Sequence, residues 1–126
     1  MKKFVFFIIA LVIITIMSVM LYWPSKEIPT QDMGKVFLIV GDKNFEFNYE
    51  PRITALDLLE NSGLEIEIKH YDMGIFIESI DSVKNGQNNK YWLYYVNDKS
   101  PNVASDKMEL EVGDMVEFKF EESPFQ

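Results

Sequence analysis

The single histidine of the 126-residue chain, His70, stands two positions before Asp72. With no cysteine present, nucleophilic chemistry would need a serine to join that pair. A serine nucleophile is commonly carried on a Gly-x-Ser-x-Gly turn, which is absent, so His70 is expected to be an ordinary histidine beside a carboxylate at the end of a strand. Twenty acidic residues offer many carboxylate pairs, so a pair suited to glycoside hydrolysis discriminates nothing. Phosphate loops and dinucleotide fingerprints are missing. Asp81-Ser82-Val83-Lys84-Asn85-Gly86 opens like a calcium loop, but Val83 holds the third position and Trp92 the twelfth, where oxygen ligands are required. It is expected to be a polar turn. The sequence therefore predicts a protein that is not an enzyme, with no catalytic residue and no metal ligand.

Contact chemistry has more support. Tyr91-Trp92-Leu93-Tyr94-Tyr95-Val96 places aromatic rings on both faces of one extended segment. Rings with a polar handle bury much area at small entropic cost and recur at binding surfaces. They are also common in strands for packing reasons alone, one face being core and the other covering a neighbour. Gly74, opening another apolar segment, is expected either to mark a bulge or to let a ligand or a second backbone approach closely.

These residues must be held by elements whose period is mostly two. Lys35 to Val40 is an apolar, β-branched run. Gly41 to Asn44 supplies turn residues, and Phe45 to Tyr49 alternates aromatic with polar, so the three predict a hairpin. Thr54-Ala55-Leu56-Asp57 matches a capping box, with Ile53 and Leu58 at staple positions and Gly63 suited to end the helix after about two turns. Glu65 to Lys69, Gly74 to Ile80, Tyr91 to Val96 and Met115 to Phe120 complete the strands. In the last, Val116, Phe118 and Phe120 point one way and Met115, Glu117 and Lys119 the other. Hairpin, short helix and further strands in that order predict an α+β protein, a β-grasp (ubiquitin-like) mixed sheet with one helix across it.

An N-terminal segment precedes this domain. Phe4 to Trp23 is a run of 20 residues in which Thr15 and Ser18 are the polar members, long enough to cross the ~30 Å hydrocarbon core of a bilayer. Lys2 and Lys3 precede it. All 20 acidic residues and 9 of the 12 basic ones lie beyond Lys26, so that part carries −11 of a total −8. The positive-inside tendency puts the N-terminus in the cytoplasm and the acidic part outside. The expected organisation is a transmembrane signal anchor over 1–23, a tether over 24–34 and an exported domain over 35–126. A cleaved signal peptide, leaving a secreted protein, is the alternative; the missing Ala-x-Ala site and the bulky Tyr22-Trp23 end favour the anchor. The acidic balance argues against nucleic acid as a partner.

The stretches Met73 to Ile80, Tyr91 to Asn97 and Gly113 to Phe118 together resemble the transcobalamin-like C-terminal domain family. That family is a β-grasp domain of unknown function in bacterial exported proteins, similar to the C-terminal β-domain of intrinsic factor and transcobalamin. The resemblance covers about residues 35 to 121. It implies cobalamin as a ligand, no covalently bound cofactor, and a contact face formed by Met73, Gly74, Ile75, Phe76, Tyr91 and Trp92. In the animal carriers a helical domain holds the other side of the ligand. No stretch here matches that domain, so the resemblance implies a second protein or a second copy. Two functions follow as expectations. One is a membrane-tethered, non-catalytic extracytoplasmic module binding cobalamin or another small molecule. The other is a module of a cell-surface assembly that meets a protein partner through a sheet edge or aromatic patch.

Overall fold

The computed structural model describes residues 1–22 and 33–124, with the side chains of residues 19–21 excepted. The chain divides into two compact units, Met1–Gln31 and Asp32–Gln126. Trp23 and most of the expected tether, residues 24–32, lie outside the described residues.

In the first unit, α1 spans Lys2–Leu21, a run that after its two lysines is apolar except for Thr15 and Ser18. Thr15 and Ser18 return their hydroxyls to the carbonyls of Val12 and Ile14, so neither competes with the helix for a backbone partner elsewhere. Among the described residues no helix is long and apolar enough to cross a membrane. The transmembrane helix expected over 1–23 is thus not found among the described residues, and its last residue, Trp23, lies outside them.

The second unit is α+β, with two sheets. β1 (Lys35–Val40) and β2 (Lys43–Asn48) form the expected hairpin, turning at Gly41, whose φ of +60° a side chain would resist. α2 (Ala55–Asn61) starts where the sequence predicts. The Thr54 hydroxyl accepts from the Asp57 N–H at 3.2 Å, and the Asp57 carboxylate accepts from the Thr54 N–H at 2.8 Å, a complete capping box. β3 (Ile66–Tyr71), β4 (Gly74–Ile80) and the two-residue β5 (Val83–Lys84) follow, then β6 (Lys90–Val96) and β7 (Met115–Glu122).

The larger sheet has the order β2-β1-β7-β6, with β1 and β7 parallel at its centre and both outer pairs antiparallel. β3, β4 and β5 form a separate antiparallel sheet. The single sheet expected from the element order is therefore two. β5 is too short to extend a ladder, and β4 shifts register against β3 between Glu67 and Ile68. The core lies where both sheets and α2 meet: Val36 and Leu38 from β1, Val116 and Phe118 from β7, Ile77 and Ile80 from β4, and Leu58 and Leu59 from α2 are all buried. Ala55 and Leu56 are buried too, so α2 is enclosed on more than the one side that the spacing of Leu56 and Leu59 suggests.

Candidate functional site

On β6 the pleat divides the aromatic run as the period predicts. Trp92 and Tyr94 turn to the core side, pairing with Phe120 and Phe118 of β7. The ring centroids are 5.2 Å apart for Trp92 and Phe120 and 5.8 Å for Tyr94 and Phe118. Both inner rings are also held by their polar handles. The Trp92 indole N–H donates to the Val83 carbonyl at 2.8 Å, and the Tyr94 hydroxyl donates to the Val103 carbonyl. Burial, helped by the negative charge of Asp106, pushes the Tyr94 hydroxyl up to about 12. On the outer face Tyr95 donates to the Glu121 carboxylate while Lys119 lies 4.9 Å over its ring. That carboxylate is the first cause pushing the Tyr95 hydroxyl up to about 12, with burial and the charges of Glu121 and Glu117 adding to it.

Between β4, β6 and the loop 100–107 lies a half-enclosed concavity of about 700 Å³. Its walls include Ile75 and Ile77 of β4, Trp92 and Tyr94 of β6, Phe118 of β7, and Val103. The loop is fixed at both of its neighbours. The carbonyls of Ser105 and Met108 accept from the Leu56 and Ala55 N–H groups at 3.1 and 3.0 Å, satisfying donors that the first turn of α2 leaves free. Asp106 accepts from the Ile75 N–H at 2.9 Å, tying the loop to the start of β4.

Of the six residues predicted as a contact face, Met73, Ile75, Phe76 and Trp92 line this concavity. Tyr91 lines an adjoining depression of about 420 Å³ together with Phe76 and Trp92. Gly74 lines neither. Its φ is +131°, and an added Cβ would come within 2.5 Å of the Ala104 Cβ and 2.7 Å of an Asp106 carboxylate oxygen. The close approach that Gly74 allows is therefore that of the protein's own loop. The register shift of the β3–β4 pair lies further along, opposite Ile77 and Ser79.

Sequence reasoning missed the loop wall, Val103 to Ser105, and also Asn85. The Asn85 amide donates to the Ile77 carbonyl at 2.7 Å and accepts from the Trp92 backbone N–H at 2.8 Å, joining a strand of each sheet. Its position in a polar turn, Lys84 to Asn89, was the available signal, but turn asparagines usually serve their own backbone.

His70 lies in β3 opposite Ile75. Asp81 occupies a two-residue turn with Ser82, where its carboxylate takes the Lys43 ammonium at 2.6 Å and is held below the usual carboxylate range by it. Asp114, near Glu109 and Glu111, gives one oxygen each to the Asn97 amide and the Glu111 N–H, both at 2.8 Å. Among the described residues no group of three or more His, Cys, Asp or Glu side chains is placed to hold a metal ion.

A family described as Domain of unknown function (DUF4430) matches residues 53–122, more than half of the chain. The chain belongs to that family. The DUF4430 match begins at α2 and includes every wall of the concavity named above, while the β1–β2 hairpin precedes it. No curated protein matches the chain. A solved structure from Ruminococcus gnavus ATCC 29149, of a protein whose metal-binding assignment is provisional, superposes with a TM-score of 0.57 at 22% identity. The match covers 71% of this chain and 95% of that one, and at this identity it shows the shared fold alone.

Proposed function

We propose that this DUF4430 protein is a membrane-tethered, non-catalytic extracytoplasmic module that binds a small, largely apolar ligand in the concavity between β4 and β6. The observation that carries the reading is the concavity itself. About 700 Å³ falls within the range of small-molecule sites, and its aromatic walls are held in place before any ligand arrives. Four of the six residues singled out from the sequence line it. The strand order β2-β1-β7-β6, with parallel central strands and a helix after the first hairpin, supports the β-grasp reading of the larger sheet. The apolar run from Phe4 to Trp23 behind two lysines, and the −11 charge beyond it, support tethering with the domain outside the cytoplasm.

Cobalamin is the ligand that the resemblance to the transcobalamin-like family supports, with a second protein or copy covering the side left open. The test is titration of the full chain in detergent with cyanocobalamin and with naphthalene, following the Trp92 indole N–H signal by NMR. Movement with cyanocobalamin supports the corrinoid reading, and movement with naphthalene alone narrows it to a smaller apolar ligand. A signal unmoved by either removes the proposal.

A specific observation favours a second reading, contact with a protein partner. Tyr71, Met73 and Phe76, at the β3–β4 turn and beside it, are 50%, 81% and 50% exposed, and Tyr71 meets Phe76 edge to face at 5.2 Å. β3 is an edge strand able to pair with an added one. Cross-linking in membranes through a photoreactive group at Met73 tests it: a single recovered partner supports this reading, and none argues against it.

A further inference from the structure

We propose that Ser105 is the polar anchor of the concavity, and that the ligand is a neutral, largely apolar molecule carrying one hydroxyl or carbonyl group; this deepens the binding reading above and rests on it. Hydrogen-bonding groups on the inner wall and directly behind it are already committed. The Trp92 indole N–H is spent on Val83, and the Tyr94 hydroxyl on Val103. Both faces of the Asn85 amide are occupied, by Ile77 and Trp92. Asp106 gives one oxygen to the Ile75 N–H, and its other lies 3.5 Å from Lys107. Those groups offer a ligand rings and methylene surface but no polar atom without a partner, and Ser100 and Asn102, also in the lining, are exposed to solvent.

Ser105 differs from all of them. It belongs to the wall of the concavity, is 3% exposed, and its hydroxyl is the one buried side-chain polar atom among the described residues without a hydrogen-bond partner. Buried hydroxyls are nearly always paired, so an orphan in the wall of a ligand-sized space points to a group supplied from outside the chain. The backbone at Ser105 is committed to α2 through the Leu56 N–H, so this residue cannot drift away to find another partner. Serine directs its hydroxyl by one torsion, χ1, and an entering oxygen can therefore recruit it without moving that backbone.

The surroundings also set the ligand's charge. Ile75, Ile77, Val103 and Phe118 would surround an ionised group with apolar surface, and the charged side chain in the lining is Lys107. Lys107 is mostly exposed and already beside Asp106. An uncharged oxygen is the group that fits: a hydroxyl can donate to or accept from Ser105, and a carbonyl can accept from it.

The test compares two probes that differ by one hydroxyl, 2-naphthol and naphthalene, on the full chain and on its Ser105→Ala variant in the same detergent. The Trp92 indole N–H signal reports binding. Micelle partitioning of each probe is common to both proteins and drops out of the ratio of affinities. Wild type is expected to favour 2-naphthol over naphthalene by about fivefold more than the variant does, the worth of one neutral hydrogen bond. Naphthalene itself should bind the variant at least as well. An equal preference in the two proteins overturns the anchor and leaves the concavity as a ligand site. Failure of both probes to move the Trp92 signal in wild type overturns the anchor and the binding reading together. Ser105→Ala removes an unpaired hydroxyl, so it should fold at least as stably as wild type, and an unchanged amide spectrum away from the loop verifies that.

Discussion

Replacing Asn85 by alanine should loosen the two sheets from one another and from the concavity between them. The side chain donates to Ile77 on β4 at 2.7 Å and accepts from the Trp92 N–H on β6 at 2.8 Å, and both bonds are partly buried. Each is worth about 1 kcal/mol net, and leaving a half-buried carbonyl and N–H without partners adds to that, for a total loss of about 2–3 kcal/mol. In a domain of roughly 90 residues this lowers the melting temperature by roughly 10–20 °C. Urea unfolding of the full chain carrying Trp23→Phe, followed by Trp92 emission, measures it. Asn85→Asp separates the two bonds. It keeps an acceptor for Trp92 but turns an oxygen toward the Ile77 carbonyl, so the ionised form is repelled while the protonated form can donate. Its folded pKa must then lie above the unfolded value of about 3.9. The sign follows: its stability is greatest below that unfolded value and is lost as pH rises through the folded one. Asn85→Ala should show no such step relative to wild type. A loss under about 0.5 kcal/mol for the alanine variant, or a pH-independent difference for the aspartate variant, would refute the bridging role.

Three further outcomes follow from the same contacts. Gly74→Ala combines a φ of +131° with a Cβ forced to 2.5 Å from Ala104, and should cost about 3 kcal/mol in urea unfolding; a loss below about 1 kcal/mol would mean that the loop yields freely. Thr54→Ala removes the hydroxyl half of the capping box and should cost about 1 kcal/mol, with Thr54→Ser recovering most of it in the same thermal scan. Tyr94 and Tyr95 ionise near 12 in the fold against about 10 in the unfolded chain, so their neutral forms contribute stability that is complete below pH 10 and lost as pH rises from there through 12. Tyr94→Phe and Tyr95→Phe should each delete one late step from the ultraviolet titration, and a step lost near pH 10 would contradict the geometry.

What could be read in the sequence divides by the range of the contacts involved. β1 and β4 have the ends that the sequence predicts, because each is a local pattern bounded by turn chemistry that a short window contains: Gly41 after Val40, and Gly74 before Ile75. The capping box is legible for the same reason, since donor and acceptor lie three residues apart. The loop 100–107 carries no period and no turn signature specific enough to place it. Its position comes from groups far along the chain: Leu56 and Ile75 donate to it, Tyr94 donates to it, and Gly74 leaves room for Ala104. Four of the six predicted contact residues line the concavity; strand alternation accounts for Ile75, which shares a face with Ile77, but not for its neighbour Phe76. Ser105 was out of reach because an unpaired hydroxyl is defined by what surrounds it.

The division into two sheets and the presence of a concavity have one physical origin. After Ile80 the chain turns at Asp81 and Ser82, both at positive φ, pairs for two residues as β5, and then leaves the ladder. β6 consequently has β7 on one side and, on the other, the Asn85 amide where a strand would supply backbone groups. A side-chain amide satisfies one N–H of β6 and one carbonyl of β4 but does not bring the two strands to the ~4.8 Å spacing of a ladder. The inner faces of β4 and β6 are thereby held apart with their apolar side chains toward a common space. The loop from Val103 to Asp106, anchored on α2 and β4, walls that space without filling it. A continuous sheet would have closed the gap between Ile75, Ile77 and Trp92, so the split is the feature on which binding in the concavity depends.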